Sequence, residues 1–420
     1  MMTPKTLGIY IHIPFCASKC GYCDFYSCAG KEASMQAYQD ALLTHIEESI
    51  PQMQQYFIDT LYIGGGTPSH YGAEYLCEII RTVKLSGRLL RDAEITVEMN
   101  PDSMMLNDLR MLYKEGVNRI SMGVQSCNDE VLKTIGRRHT YAQAFKAYKT
   151  ARQAGFKNIS VDLMYGLPGQ TKDDWADTLS KIIRWKPSHI SCYGLKLEEG
   201  TPMYEVYHDT PAIPDDDCQA DMYSYAAEFL DRYGYKRYEI SNFSRRGFES
   251  MHNIRYWKQE DYMGFGPGAH SFVDGLRYSY VRDLNAYIDG VMKDGVIVDE
   301  YEKIEGLEIA NEYLMLRLRM AEGIDPADYT KRFRADFGPL EERLKFYESK
   351  GWTECNENGC WSFTTSGFLI SNLLLNELLD VQAAQNAIGV PYILDILDQR
   401  EREELPLSDE ELFMQAMRGL

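Results

Sequence analysis

The chain has no stretch approaching the ~18 uninterrupted apolar residues of a membrane-spanning helix. It shows no leader either: Met1-Met2-Thr3-Pro4-Lys5 passes straight into a strand pattern, with no long hydrophobic segment before it. Positive charge is scarce. Lys and Arg number 44 against 63 Asp and Glu, a net charge of −19. That balance argues against sequence-independent binding to nucleic acid, which needs a basic footprint. It argues equally against an electrostatic grip on an anionic membrane. Repeats of solenoid spacing and low-complexity segments are absent. What is present is a globular composition, 45% hydrophobic and 25% charged, over 420 residues. A chain of that size can bury one large core and a smaller one. Its ten cysteines are mostly scattered singly, as at Cys77, Cys127, Cys192 and Cys218. Without a leader they read as reduced thiols of a cytoplasmic protein, not as a disulfide framework.

Cys16, Cys20 and Cys23 are the exception to that scatter. They follow directly on the apolar run Leu7–Ile13. Three closely spaced thiolates suit an iron–sulfur cluster, because its irons prefer soft sulfur ligands. Three protein ligands on a four-iron cubane leave one iron open to a small molecule. The other reading is a tetrahedral zinc with Cys28 or His12 as fourth ligand. A C-x-x-x-C-x-x-C triplet just after a first strand resembles the radical S-adenosylmethionine (SAM) superfamily. That resemblance implies that the amino and carboxylate groups of SAM chelate the open iron.

Strand-like and helix-like patterns alternate up to about residue 235. The strands read Leu7–Ile13, Thr60–Ile63, Glu94–Glu98, Arg119–Val124, Ile159–Met164 and Ile190–Leu195. Met35–Ser49, Glu74–Val83, Ser103–Lys114 and Thr140–Gln153 carry helical period between them. Such alternation predicts an α/β fold of parallel strands with crossover helices. Chemically useful groups sit near the carboxyl ends of all six strands: the cysteines, Gly64–Pro68, Glu98, Gln125, Asp162 and Tyr193. Convergence of strand ends on one face favours a partial (β/α)6 TIM-like barrel over a doubly wound sheet. Residues 1–240 are therefore assigned to the barrel. Tyr238–Phe243 is expected to be an edge strand, 245–290 an irregular surface crossing, and 241–295 as a whole a connecting segment that carries the His252–Trp257 motif. Residues 296–382 read as a C-terminal helical, winged-helix-like domain with a hairpin turn at Asn356-Glu357-Asn358-Gly359. Residues 383–420 read as a helical tail of unassigned role, with a capping box from Ser408 to Glu411; an oligomerisation helix, and so a homodimer, is one use for it.

Gly64-Gly65-Gly66-Thr67-Pro68 lets backbone approach a ligand closely, or forms a plain turn. Glu98 and Asp162 are carboxylates within apolar strands, where they require partners. Those partners are structural, or they are the hydroxyls or amino group of a nucleoside-containing ligand. Gln125 and Arg137 supply further polar contacts, Arg137 as a carboxylate partner or a solvent-facing side chain. Tyr22, between two cysteines, can shield a cluster or stack on adenine. His252-Asn253-Ile254-Arg255-Tyr256-Trp257 reads as a packing segment or a ligand site, since histidine ligates haem iron and flat aromatics suit a macrocycle.

Taken together, Tyr10–Cys16, Gly64–Pro68, Gly123–Ser126, Gly136–His139, Asp162–Pro168 and Gly264–Ala269 resemble the oxygen-independent coproporphyrinogen III dehydrogenases and their HemW relatives. Glu312–Arg319 and Gly323–Asp325 extend the match. The resemblance implies a 4Fe-4S cluster on Cys16, Cys20 and Cys23. It implies SAM contacts from Tyr10, Tyr22, Gly65, Gly66, Thr67, Glu98, Gln125, Arg137 and Asp162. Two departures select the branch. The dehydrogenases carry a further cysteine where this chain has Phe25, and an N-terminal arm that this sequence does not show. Cys23-Asp24-Phe25 and the His252 cluster look instead like the haem-carrying branch. That implies haem as cargo, held at or near His252, and haem-requiring acceptor proteins as partners. The alternatives are radical oxidative decarboxylation of coproporphyrinogen III and radical haem degradation. Cys28 receives no role.

Overall fold

The computed structural model describes residues 5–293 and 295–384. Among them the chain forms two units, one of residues 5–256 and 260–303, the other of 257–259 and 304–384.

The first unit is built on β1 (Thr6–Ile13), which runs into β2 (Phe15–Cys16). β2 pairs in parallel with β3 (Cys28–Ala29), so the cysteine loop is closed at its base. Leu7, Ile9, Ile11 and Ile13, on one face of β1, are fully buried, and Gly8 and His12 on the other face are buried as well, as expected where both faces of a parallel sheet are covered. β4 (Phe57–Gly65), β5 (Leu89–Met99), β6 (Arg119–Gln125), β7 (Asn158–Tyr165) and β8 (His189–Gly194) follow. Each pairs in parallel with its predecessor, in the order β1-β4-β5-β6-β7-β8. Helices Met35–Glu48, Ala73–Leu85, Leu106–Glu115, Tyr141–Ala154 and Lys172–Trp185 make the crossovers. Their starts are legible in the residues. Thr140 and Thr171 cap two of them, with Gln143 and Asp174 completing capping boxes. The expected partial barrel is present.

The stretch after residue 235 departs from expectation. Tyr238–Phe243 is not one strand: β9 (Lys236–Arg237) turns back onto β10 (Asn242–Ser244), which pairs antiparallel with β8. The segment expected to be irregular carries the helices Met251–Trp257 and Leu284–Met292 and three strands. β11 (Tyr262–Phe265) lies parallel to β1 on its free side, and β12 (His270–Val273) and β13 (Leu276–Tyr280) continue antiparallel to β14 (Val298–Lys303). These strands are only four to six residues long, so they show too few periods of alternation to stand out.

In the second unit, helices Leu307–Arg317, Pro326–Phe333 and Gly338–Glu348 precede a hairpin of β15 (Thr353–Cys355) and β16 (Trp361–Phe363). This is the winged-helix-like outline. Leu314, Tyr329, Leu340, Leu344, Trp361 and Phe363 fill its core. A helix then runs from 371 to 384. The capping box at Ser408 and nearly all of the tail lie outside the described residues.

Candidate functional site

Strand alternation decides what faces the barrel interior. Along β6 every second residue, Arg119, Ser121, Gly123 and Gln125, lines one cavity. Tyr62 on β4, Glu98 on β5, Asp162 and Met164 on β7, and Ser191 and Tyr193 on β8 line it as well. Cys16, Cys20, Tyr22 and Cys23 close its carboxyl-end mouth, with Gly65, Gly66, Thr67 and Arg137 beside them. The cavity measures about 470 Å³.

The cysteine loop is held by backbone bonds to neighbouring loops: Gly21 N–H donates to Ile135 O at 3.3 Å, and Met203 N–H to Gly21 O at 2.9 Å. Cys16 Sγ lies 3.4 Å from Thr67 Oγ1, and Arg137 Nη1 lies 3.7 Å from Cys20 Sγ. Burial raises the pKa of the Cys16 and Cys23 thiols, and the neighbouring thiols add to it. Three soft sulfur donors beside a guanidinium fit an anionic iron–sulfur cluster, whose thiolates each take a separate iron. Among the described residues, no three His, Cys, Asp or Glu side chains converge as a single ion requires. The two candidates for a fourth zinc ligand are also engaged. His12 meets Tyr10 OH at 3.0 Å and Tyr26 O at 2.9 Å, and Cys28 Sγ lies 3.7 Å from Tyr26 OH.

The glycine run is where backbone space is needed. A Cβ on Gly66 would come within 3.0 Å of Ile13 O and 2.9 Å of Phe15 O. Gly65 has φ +113 and would strike the His12 ring at 2.7 Å. Its N–H donates to Glu98 Oε2 at 3.1 Å, and Tyr62 OH donates to Glu98 Oε1 at 2.7 Å. Burial still lifts the Glu98 pKa to about 7. Asp162 accepts from Ser121 at 2.9 Å, Ser160 at 3.0 Å and Ser191 at 2.8 Å. Arg137 donates Nη2 to Asn100 Oδ1 at 2.8 Å and to Gly123 O. Gln125 follows a register shift against β7 and takes φ +66, a left-handed conformation rare for its type. Such a bulge re-aims a side chain, and strain of this kind clusters at functional sites.

Two expected site residues stand apart from the cavity. Tyr10 does not line it; its hydroxyl is taken by His12 and its ring stacks 6.4 Å from His252. His252 does not meet the expectation of an available imidazole. It is 1% exposed, its Nδ1 is 2.8 Å from Thr60 Oγ1, and its Nε2 is 2.8 Å from Tyr256 OH. Burial lowers its pKa to about 3. Its neighbour Asn253 is the residue of this cluster that reaches the cavity wall. Sequence reasoning missed Asn253, Arg119, Ser121 and Ser191. The period-two pattern of β6, which places Arg119 and Ser121 on the face of Gln125, was the available signal.

An open β/α barrel with a cysteine triplet at its mouth, a glycine run beside it and interior carboxylates defines a radical SAM protein. Residues 10–182 match the radical SAM superfamily, and residues 304–370 match the HemN C-terminal domain. The heme chaperone HemW of Bacillus subtilis is 34% identical over 88% of this chain and 98% of its own length. That of Lactococcus lactis is 36% identical over 90% and 98%. That of Escherichia coli is 33% identical over 90% and 100%. The chain belongs to the HemW family. Among solved structures, the coproporphyrinogen III oxidase HemN from Escherichia coli superposes with a TM-score of 0.77 over 90% of each chain, at 22% identity. That likeness concerns the fold. No helix among the described residues is long and apolar enough to cross a membrane.

Proposed function

We propose that this protein is a cytoplasmic haem carrier that binds a 4Fe-4S cluster and SAM and passes haem to haem-requiring acceptor proteins. One observation carries the cofactor half of this reading: Cys16, Cys20 and Cys23 share a single cavity with Gly65, Gly66, Thr67, Glu98, Gln125, Arg137 and Asp162. Cys16, Cys20 and Cys23 would hold the cluster, which when bound supplies an open iron and an electron. Gly65 and Gly66 present bare backbone to the cavity, while their missing side chains make room for the His12 ring and for the carbonyls of Ile13 and Phe15. Glu98 offers a carboxylate to an amino group, and Asp162, held by three serine hydroxyls, presents its charge in a set orientation. Tyr22 lies between the two loop cysteines and walls the cavity.

The carrier half rests on family membership and on Phe25. This side chain is 71% exposed at the cavity mouth, where the dehydrogenase pattern has a cysteine. An exposed aromatic there suits a flat apolar macrocycle. The test is anaerobic incubation of the reconstituted protein with coproporphyrinogen III, SAM and reductant, alongside haem titration. Saturable haem binding without decarboxylation is expected. Conversion to protoporphyrinogen IX with SAM consumed in step would replace the carrier reading by the enzymatic one.

A further inference from the structure

Two arginines line the cavity, and they are used differently. Arg137 spends its donors on Asn100, Gly123 O and the Cys20 thiol. Arg119 is 1% exposed, yet its Nε and Nη1 have no acceptor among the described residues. Leaving buried guanidinium donors unpaired is unfavourable, and such groups in native proteins call for an explanation. The nearby acids do not take these donors. Glu94 accepts the backbone N–H groups of Met251 and His252, at 3.2 and 3.1 Å, and Asp162 is occupied by its three serines. Their charges nevertheless act on Arg119 and keep it protonated against the effect of burial. By accepting those two N–H groups, Glu94 anchors the start of the Met251–Trp257 helix, from which Asn253 reaches the same cavity. A buried cation with free donors, in a cavity that a carboxamide, Tyr62 and Ser121 also line, suits a carboxylate, whose two oxygens match the guanidinium fork.

We propose that Arg119 and Asn253 form a subsite for a carboxylate of the cavity's ligand. This rests on the reading of the cavity given above and refines it. A propionate of haem is the source, since the carboxylate of SAM is committed to the open iron, and paired probes separate the two. Wild type, Arg119→Gln, Arg119→Lys and Asn253→Ala, each cluster-reconstituted, are titrated with haem and haem dimethyl ester, and with SAM and decarboxylated SAM. Wild type should prefer the free acid in the haem pair, and Arg119→Gln should lose that preference by about tenfold or more, the scale of one charged hydrogen bond. Asn253→Ala should lose part of it. Arg119→Lys should keep charge and recover only part of it, because an ammonium lacks the fork. Loss confined to the haem pair assigns a propionate, and loss within the SAM pair overturns that assignment. Unchanged acid preferences in every variant overturn the subsite. Failure of wild type to bind haem at all overturns the carrier reading, and the subsite with it. If Arg119→Gln does not fold, as judged by near-ultraviolet circular dichroism, Arg119→Lys and Asn253→Ala decide.

Discussion

The Tyr62 hydroxyl donates to Glu98 at 2.7 Å inside the barrel. On its other side the Tyr62 ring stacks 5.2 Å from His252. A histidine from the connecting segment thus buttresses, through one aromatic ring, the carboxylate that faces the cavity.

Glu98 should make SAM binding depend on pH. Burial, aided by the charge of Asp162, holds its pKa at about 7, despite the hydrogen bonds from Tyr62 and Gly65. Only the ionised form offers two acceptors to an amino group. Affinity should therefore rise as pH increases through 7 and level off above it. Glu98→Gln should weaken binding and remove most of that dependence. Equilibrium dialysis on both sides of pH 7 decides, and a flat wild-type profile refutes the assignment.

The same carboxyl should penalise the ligand-free fold at high pH. Its folded pKa is raised, so its stabilising contribution is complete below about 4.5 and is lost as pH rises through about 7. Glu98→Gln should consequently stabilise the ligand-free protein at pH 8, by at most about 3 kcal/mol, and much less near pH 5. Urea unfolding at the two pH values measures this. A variant less stable than wild type at pH 8 runs against it.

Replacing Cys16, Cys20 or Cys23 by Ala should each abolish bound iron and sulfide after anaerobic reconstitution. Cys28→Ala should retain them, because Cys28 does not line the cavity. Full iron content in any one of the three single variants contradicts the ligand set. A zinc-loaded native protein contradicts the cluster itself.

His252→Ala should destabilise the barrel by ~2–4 kcal/mol, since it removes a buried ring and strands Thr60 Oγ1 and Tyr256 OH. Haem retention per folded molecule should be little changed. Selective loss of haem from a variant with wild-type stability would restore His252 as an iron ligand.

Acid should unfold the protein through its buried neutral histidines. Burial lowers His12 and His139 to about 4, and His45 and His252 to about 3. The unfolded chain binds these protons near 6.5, so stability present above that value is lost as pH falls from 6.5 towards 3. His45→Gln should flatten the slope of stability against pH in that window. An unchanged slope argues that His45 is already charged in the folded state.

The amino-acid sequence by itself determined the parallel β/α order, the capped helix start at Thr171, and the grouping of the cysteine triplet with the glycine run. These are local signals: alternation, capping residues and spacing act within a few positions of the residues they describe. Tertiary structure decided the rest. Whether Arg119 finds an acceptor depends on Glu94 and Asp162 already serving others. Whether His252 is free depends on Thr60, 192 positions away, and on a tyrosine one helical turn on. The short strands β11 to β13 exist because β1 and its new neighbours supply the ladder partners. A histidine, a tyrosine and a tryptophan within six residues look like a ligand site when only their chemistry is known. Burial and hydrogen-bond partners, which arise from residues far apart in the chain, make His252 a support inside the barrel and leave Asn253 facing the cavity.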